Sequence, residues 1–105
     1  MQGSIIRFYV PEGQRHEGKM VWEWLLEKAN HLGVQRGSAF KAMAGFGPQH
    51  VMHEATFFEL AGSLAVEVQF IVAQDEVRQL LELVTAAKLG LFYALTPAEF
   101  GKVGD

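Results

Sequence analysis

"LAVEVQFIVAQDEVRQLLELVTAAKLG" (residues 64–90) decides the fold class. Its first third alternates: Val66, Val68, Phe70 and Val72 point one way, Glu67 and Gln69 the other. Period-two alternation of this kind is a strand with one buried face. The period then changes. Val77, Leu80, Leu81, Val84 and Ala87 recur at helical spacing over 75–90, with Asp75 at the start, Lys88 in the last turn and Gly90 closing it. A half-buried strand feeding an amphipathic helix is a β-α unit whose helix packs on the strand's apolar face.

Working outward, "SIIRFYV" (4–10) is a second alternating strand, with Ile6, Phe8 and Val10 opposite Ile5, Arg7 and Tyr9. Pro11 stops it, and "PEGQRHEG" (11–18) reads as a polar loop. "KMVWEWLLEKANHLG" (19–33) predicts a helix, its stripe formed by Val21, Leu25, Ala29 and Leu32 and widened by Trp22 and Leu26. Trp22 and Trp24 stand two apart, so both cannot face the core squarely. "SAFKAMAG" (38–45) reads as a strand, with Phe40, Ala42 and Ala44 opposite Lys41 and Met43. "EATFFEL" (54–60) reads as a strand and "AGS" (61–63) as a turn before residue 64. "LFYAL" (91–95) is a short last strand, and 97–105 reads as a tail from which Phe100 is able to dock.

With the short segment 54–60 counted apart, the order is β-α-β-β-α-β. It predicts an α+β, ferredoxin-like βαββαβ sandwich: one domain over 1–96, with two helices on one face of an antiparallel sheet. Two helices leave the other face open. On the alternation above that face carries Ile5, Arg7, Tyr9, Lys41, Met43, Glu67, Gln69 and Ile71. Exposed Ile, Tyr and Met on so small a sheet favour oligomerisation.

The bulk numbers fit this reading. The 105 residues are half apolar, with a formal net charge of −3 and no cysteine. A slightly acidic domain offers no electrostatic footprint for nucleic acid. The absence of cysteine leaves neither a disulfide framework nor a thiolate metal site. No apolar run approaches the roughly 18 residues of a membrane span, and the N-terminus lacks a signal-peptide pattern. The expectation is a cytoplasmic protein without membrane insertion.

"HEGKMVWEWLLEKANHLGVQRGSAFKAMAGFGPQHVMHEA" (16–55) resembles the PII-like family catalogued as domain of unknown function 190. The resemblance lies in Gly18-Lys19 opening the first helix, Gly33 ending it, a strand leading into Gly45-Phe46-Gly47, and His53 six residues on. Where the family pattern has Arg and Gly before Gly-Phe-Gly, this chain has Lys41 and Ala42. The family is similar to PII signal proteins and CutA-type trimers. It implies a ferredoxin-like homotrimer with clefts between subunits. In PII proteins those clefts take adenine nucleotides, and a loop between the second and third strands engages partners such as transporters. Family members are also joined to, or encoded near, fluoride channels. The resemblance therefore implies a regulator of a membrane transporter or ion channel, with residues 46–53 at the loop position.

The chemistry-bearing residues allow more than one reading. Gly45-Phe46-Gly47-Pro48 lacks the lysine and following helix of a phosphate-binding P-loop. It is either a strand-end turn needing glycine geometry or part of a ligand cleft. His50 and His53, with Glu54 adjacent, fall short of the three or four ligands of a zinc site, and residues three apart on an extended segment face opposite sides. They are hydrogen-bonded or solvated histidines, or His53 touches a ligand. Lys19, at the predicted helix start, is on the wrong end for the helix dipole but well placed for an anion. No nucleophile or paired-carboxylate set presents itself, so a non-enzymatic function is expected. The ligand-contact candidates are Lys19, Gly45, Phe46, Gly47, His50 and His53, with no cofactor. The alternative is a CutA-type divalent-metal protein using His50, His53 and a carboxylate.

Overall fold

β1 (Gln2–Pro11) has a strand on each side. In the computed structural model, which describes residues 1–48, 50, 52–54 and 64–104, it pairs antiparallel with β7 (Ala65–Val72) and with β8 (Phe92–Glu99). β4 (Arg36–Lys41) adds to the far side of β7, also antiparallel. The sheet order β4-β7-β1-β8 is the ferredoxin-like arrangement predicted from the sequence.

Alternation sets the layers. Ile6, Phe8, Val10, Val66, Val68, Phe70 and Val72 are buried in one cluster with residues of both helices. Val21, Trp24, Leu25 and Ala29 come from α1 (Val21–His31), and Val77, Leu80 and Val84 from α2 (Gln74–Ala86). Both helices therefore cover the same face. The intervening Ile5, Arg7, Tyr9, Glu67, Gln69 and Ile71 remain only half-buried on the other.

Three local readings are corrected. First, residues 15–20 form a small hairpin, with β2 (Arg15–His16) pairing β3 (Lys19–Met20). Its two-residue turn has Glu17 at φ 53° and Gly18 at φ 81°. Two positive φ angles are what a tight hairpin of this kind demands. Lys19 thus precedes α1 instead of opening it. The hairpin also serves the helix start: the Val21 N–H donates to the Gln14 carbonyl at 2.9 Å. Its His16 ring stands 4.9 Å from that of Trp24, edge-on; Trp24 is buried, whereas Leu32, placed in the apolar stripe from the sequence, is exposed.

Second, β4 faces the opposite way. Phe40 lies opposite Glu67 and Lys41 opposite Val66, so Arg36, Ser38 and Phe40 join the open face while Lys41 turns to the helix side. Lys41 and Met43 therefore do not belong to the open face, and Lys41 Nζ lies 3.1 Å from Glu12. The cause is at Gly37, where an added Cβ would sit 2.8 Å from the Phe70 ring. Only glycine lets the strand pass so close to the core. Third, β8 runs to Glu99, beyond residue 95, because Gln2–Tyr9 pairs along its full length. Phe100 continues the pairing by hydrogen bonds exchanged with Met1. The strand expected over 54–60 and the turn over 61–63 lie outside the described residues, apart from Glu54.

Both helices end alike. Gly33 (φ 93°) follows α1, with Val34 N–H donating to Ala29 and Gly33 N–H to Asn30. α2 repeats the pattern with Leu89 to Val84 and Lys88 to Thr85, but its left-handed residue is Lys88 (φ 57°). This is the Schellman closure, which favours glycine at that position. A left-handed L-residue costs about 1–2 kcal/mol, partly offset in glycine by its freer unfolded chain. Lys88→Gly is expected to raise the melting midpoint by about 2–6 °C in calorimetry.

Candidate functional site

Between β4 and β7 the chain leaves the sheet. Residues 42–64 depart where the Ala42 N–H donates to the Ala65 carbonyl at 3.0 Å. Within this excursion β5 (Ala44–Gly45) pairs with β6 (His53–Glu54), Gly45 opposite His53. The hairpin tip is closed by the His50 N–H donating to the Gly47 carbonyl at 2.9 Å, with Pro48 next to Gly47. The Phe46 and His50 rings lie nearly parallel, their centroids 6.0 Å apart. The structure thus gathers Gly45, Phe46, Gly47, His50 and His53 into one hairpin outside the four-stranded sheet.

The glycines there do not serve the geometry expected of them. Gly45 and Gly47 have φ angles on the negative side, and no described residue lies within 4 Å of an added Cβ at either. The positive φ of this hairpin falls on His50 (60°). The two glycines leave bare, approachable backbone around an exposed ring. Phe46 is 64% exposed, Met43 83% and Met52 55%. Three large apolar side chains standing in water on one short hairpin suit a contact with another molecule.

Among the described residues, the partner of Lys19 is not in this group. Lys19 stands at the β2–β3 hairpin, and its Nζ pairs with the Glu27 carboxylate on α1. That hydrogen bond, with the attraction of the charge, holds Lys19 above the usual lysine pKa and Glu27 below the usual carboxylate range. The sign follows for each partner. Glu27's contribution is present above the ordinary carboxylate pKa and fades as pH falls through its lowered value. Lys19's is present below the ordinary lysine pKa and fades as pH rises through its raised value. At neutral pH the cation is engaged, although both groups are exposed and the pair is weak.

A cation the sequence did not single out is Lys88. It lines a cleft of about 390 Å³ with Phe8, Leu81, Thr85, Gly90 and Tyr93, between α2 and the free edge of β8. Its left-handed backbone is the kind of local cost that clusters at functional sites. The available signal was a lysine standing where a helix of this ending takes glycine. Among the described residues no three His, Asp or Glu side chains gather as a metal cage, and no helix is long and apolar enough to cross a membrane.

Since neither hairpin glycine is structurally required, Gly45→Ala and Gly47→Ala should each change stability by less than about 0.5 kcal/mol in denaturant titration. A larger loss would show that the fold itself needs them.

The family described as Uncharacterized ACR, domain of unknown function 190, matches residues 3–97. The chain is 30% identical over 88 residues to a UPF0166 protein of Aquifex aeolicus, covering 84% of each. It is 21% identical over 81 residues to a UPF0166 protein of Methanocaldococcus jannaschii, covering 77% of this chain and 74% of that one. The match runs from β1 into β8, taking in the sheet, both helices and the hairpin, and the chain belongs to the domain of unknown function 190 family.

Proposed function

We propose that this chain is a non-enzymatic, PII-like regulatory protein of the cytoplasm. It assembles as a homotrimer, takes a small anionic ligand in clefts between subunits, and uses the 42–64 excursion to modulate a partner, with a membrane transporter or ion channel as the first candidate. The observation that carries the reading is the hairpin itself: Met43, Phe46 and Met52 are exposed, and none of them belongs to a strand of the four-stranded sheet. A segment kept apolar without packing is explained by a partner.

Two further features support it. The open sheet face is amphipathic: Phe92 is 73% exposed and lies beside Tyr9 with the rings tilted and their centroids 5.7 Å apart, while Arg7 and Glu67 approach to 3.9 Å at its centre. Such a face is ill suited to water and well suited to copies of itself. The Lys88 cleft opens at the edge of a subunit, where a neighbour is needed to close it.

The test is native mass spectrometry followed by calorimetry of the purified protein with a panel of adenine nucleotides and inorganic anions. A trimer that binds one of them is expected. A ligand at 100 times its Kd adds about 2.7 kcal/mol to stability, visible as a shift in melting. A trimer giving neither heat nor a melting shift across the panel defeats the ligand reading. Glu27→Gln locates the contact. If Lys19 meets the anion, releasing it from Glu27 tightens binding. If Lys88 does, Lys88→Ala weakens binding and Glu27→Gln does nothing. The divalent-metal alternative rests on His50 and His53 sharing the hairpin, and zinc or copper retained through dialysis and lost in His53→Ala would favour it.

A further inference from the structure

The end of β7 floors a bay of about 430 Å³. The strand order decides its walls. β4 starts on one side of β7, with Arg36 opposite Ile71, and β1 starts on the other, with Ser4 opposite Val72. α2 rises from the floor itself, because Ala73 joins Val72 to Gln74. Ile71, Ala73 and Phe100 give the bay apolar surface. Arg36 from β4, Asp75 from α2 and Lys102 from the C-terminal segment bring charge to it.

The walls are fixed by contacts of their own. The Phe100 N–H donates to the Met1 carbonyl at 3.0 Å, and the Met1 nitrogen donates to the Phe100 carbonyl at 2.9 Å. The Phe100 ring packs against Gly3, where an added Cβ would stand 2.8 Å from the ring and 2.1 Å from the Val72 carbonyl oxygen. Gly101 and Lys102 follow directly from this anchor. At the start of α2 the Glu76 carboxylate accepts from the Ala73 N–H at 2.8 Å, so Glu76 is engaged by the helix. Arg36, Lys102 and Asp75 have no hydrogen-bond or ion-pair partner among the described residues. Charges of both signs thus share one bay without pairing across it. A simple anion entering there meets Asp75, and a simple cation meets Arg36 and Lys102. A molecule carrying both charges meets each with its opposite, and complementarity of that kind selects a ligand. The volume is that of a small-molecule site.

We propose that this bay binds a zwitterionic α-amino acid, its carboxylate against Arg36 and Lys102, its ammonium against Asp75 and its side chain over Ile71 and Phe100. A guanidinium suits the carboxylate because its planar fork donates two parallel hydrogen bonds. The site goes beyond the anion cleft proposed above, since it lies within one copy and requires both signs of charge. β4 runs from this bay at Arg36 to Lys41, at the root of the 42–64 excursion.

The test is calorimetry of the intact protein with the common L-amino acids, each at about 10 mM, which reads Kd values into the millimolar range. Heat is expected with at least one. That amino acid is then compared with its N-acetyl derivative, which lacks the ammonium, and its carboxamide, which lacks the carboxylate. Each should bind about tenfold more weakly, the loss of one charge-assisted contact. In Asp75→Asn the amino acid should lose its advantage over the N-acetyl form and keep it over the carboxamide. In Arg36→Gln and in Lys102→Ala the advantage over the carboxamide should shrink and the other persist. A merely structural role would weaken all three compounds alike. Lys28→Ala, which removes an exposed cation of α1 outside the bay, should leave every affinity unchanged. The derivatives need no variant, so a variant that fails to fold leaves the test standing. No heat with any amino acid, equal binding of the derivatives, or preferences that Asp75→Asn and Arg36→Gln leave intact overturns the proposal.

Discussion

Two helices can cover only one face of a four-stranded sheet, and the rest of this structure depends on that limit. β7 pairs along its full length with β1, Ser4 against Val72 through Pro11 against Ala65. Because side chains alternate, burying Ile6, Phe8 and Val10 under the helices obliges Ile5, Arg7 and Tyr9 to stand on the other side. Among the described residues no third helix lies there. The chain spends polar chemistry at the centre of that face, where Arg7 meets Glu67 and donates to Thr96 at 3.4 Å, and leaves aromatic and branched residues toward the rims. The result is neither a dry core nor a fully solvated surface, which is the condition that makes association with copies the natural reading.

What was legible in the sequence follows the same limit. β1, β7 and α2 carry strict periodicity because each has one fully buried face, and their residues fell where the pattern placed them. β4 has no buried residue of its own, so nothing in its alternation recorded which side faced the helices. The deciding residue is Gly37, a position with no side chain, whose role appears only when the Phe70 ring is seen beneath it. The extra length of β8 was hidden by Pro97, which reads as a breaker but sits harmlessly with its nitrogen toward the open edge. The β2–β3 hairpin was missed because Glu17-Gly18 is a weaker turn signal than Asn-Gly.

The candidate site was legible in position but not in its chemistry. The hairpin lay where the glycine and histidine cluster pointed, yet among its described residues the left-handed backbone falls on His50, not on Gly45 or Gly47, and in the cleft beside β8 on Lys88 and Gly90. Single-residue backbone strain leaves no trace in composition or spacing. Lys19 shows the converse: a lysine beside a glycine at a helix start suggests an anion, but Glu27, eight residues on, already meets it. Nothing local in the sequence reveals that reach, because it depends on the hairpin that carries Lys19 back over the helix.

The arrangement also constrains how regulation would work. A ligand shifts a conformational equilibrium only by its differential affinity for the two states. The 42–54 hairpin is closed by its own hydrogen bonds and buries none of Met43, Phe46 or Met52 against the core, so burial of those side chains does not hold it in one orientation. It is tied to the sheet at Ala42 and Ala65, beside the strand end that carries Lys41. A ligand touching that strand end would reach the excursion at its root. Few interactions then have to be overcome for the signal to reach the exposed Phe46, and the sheet itself need not deform.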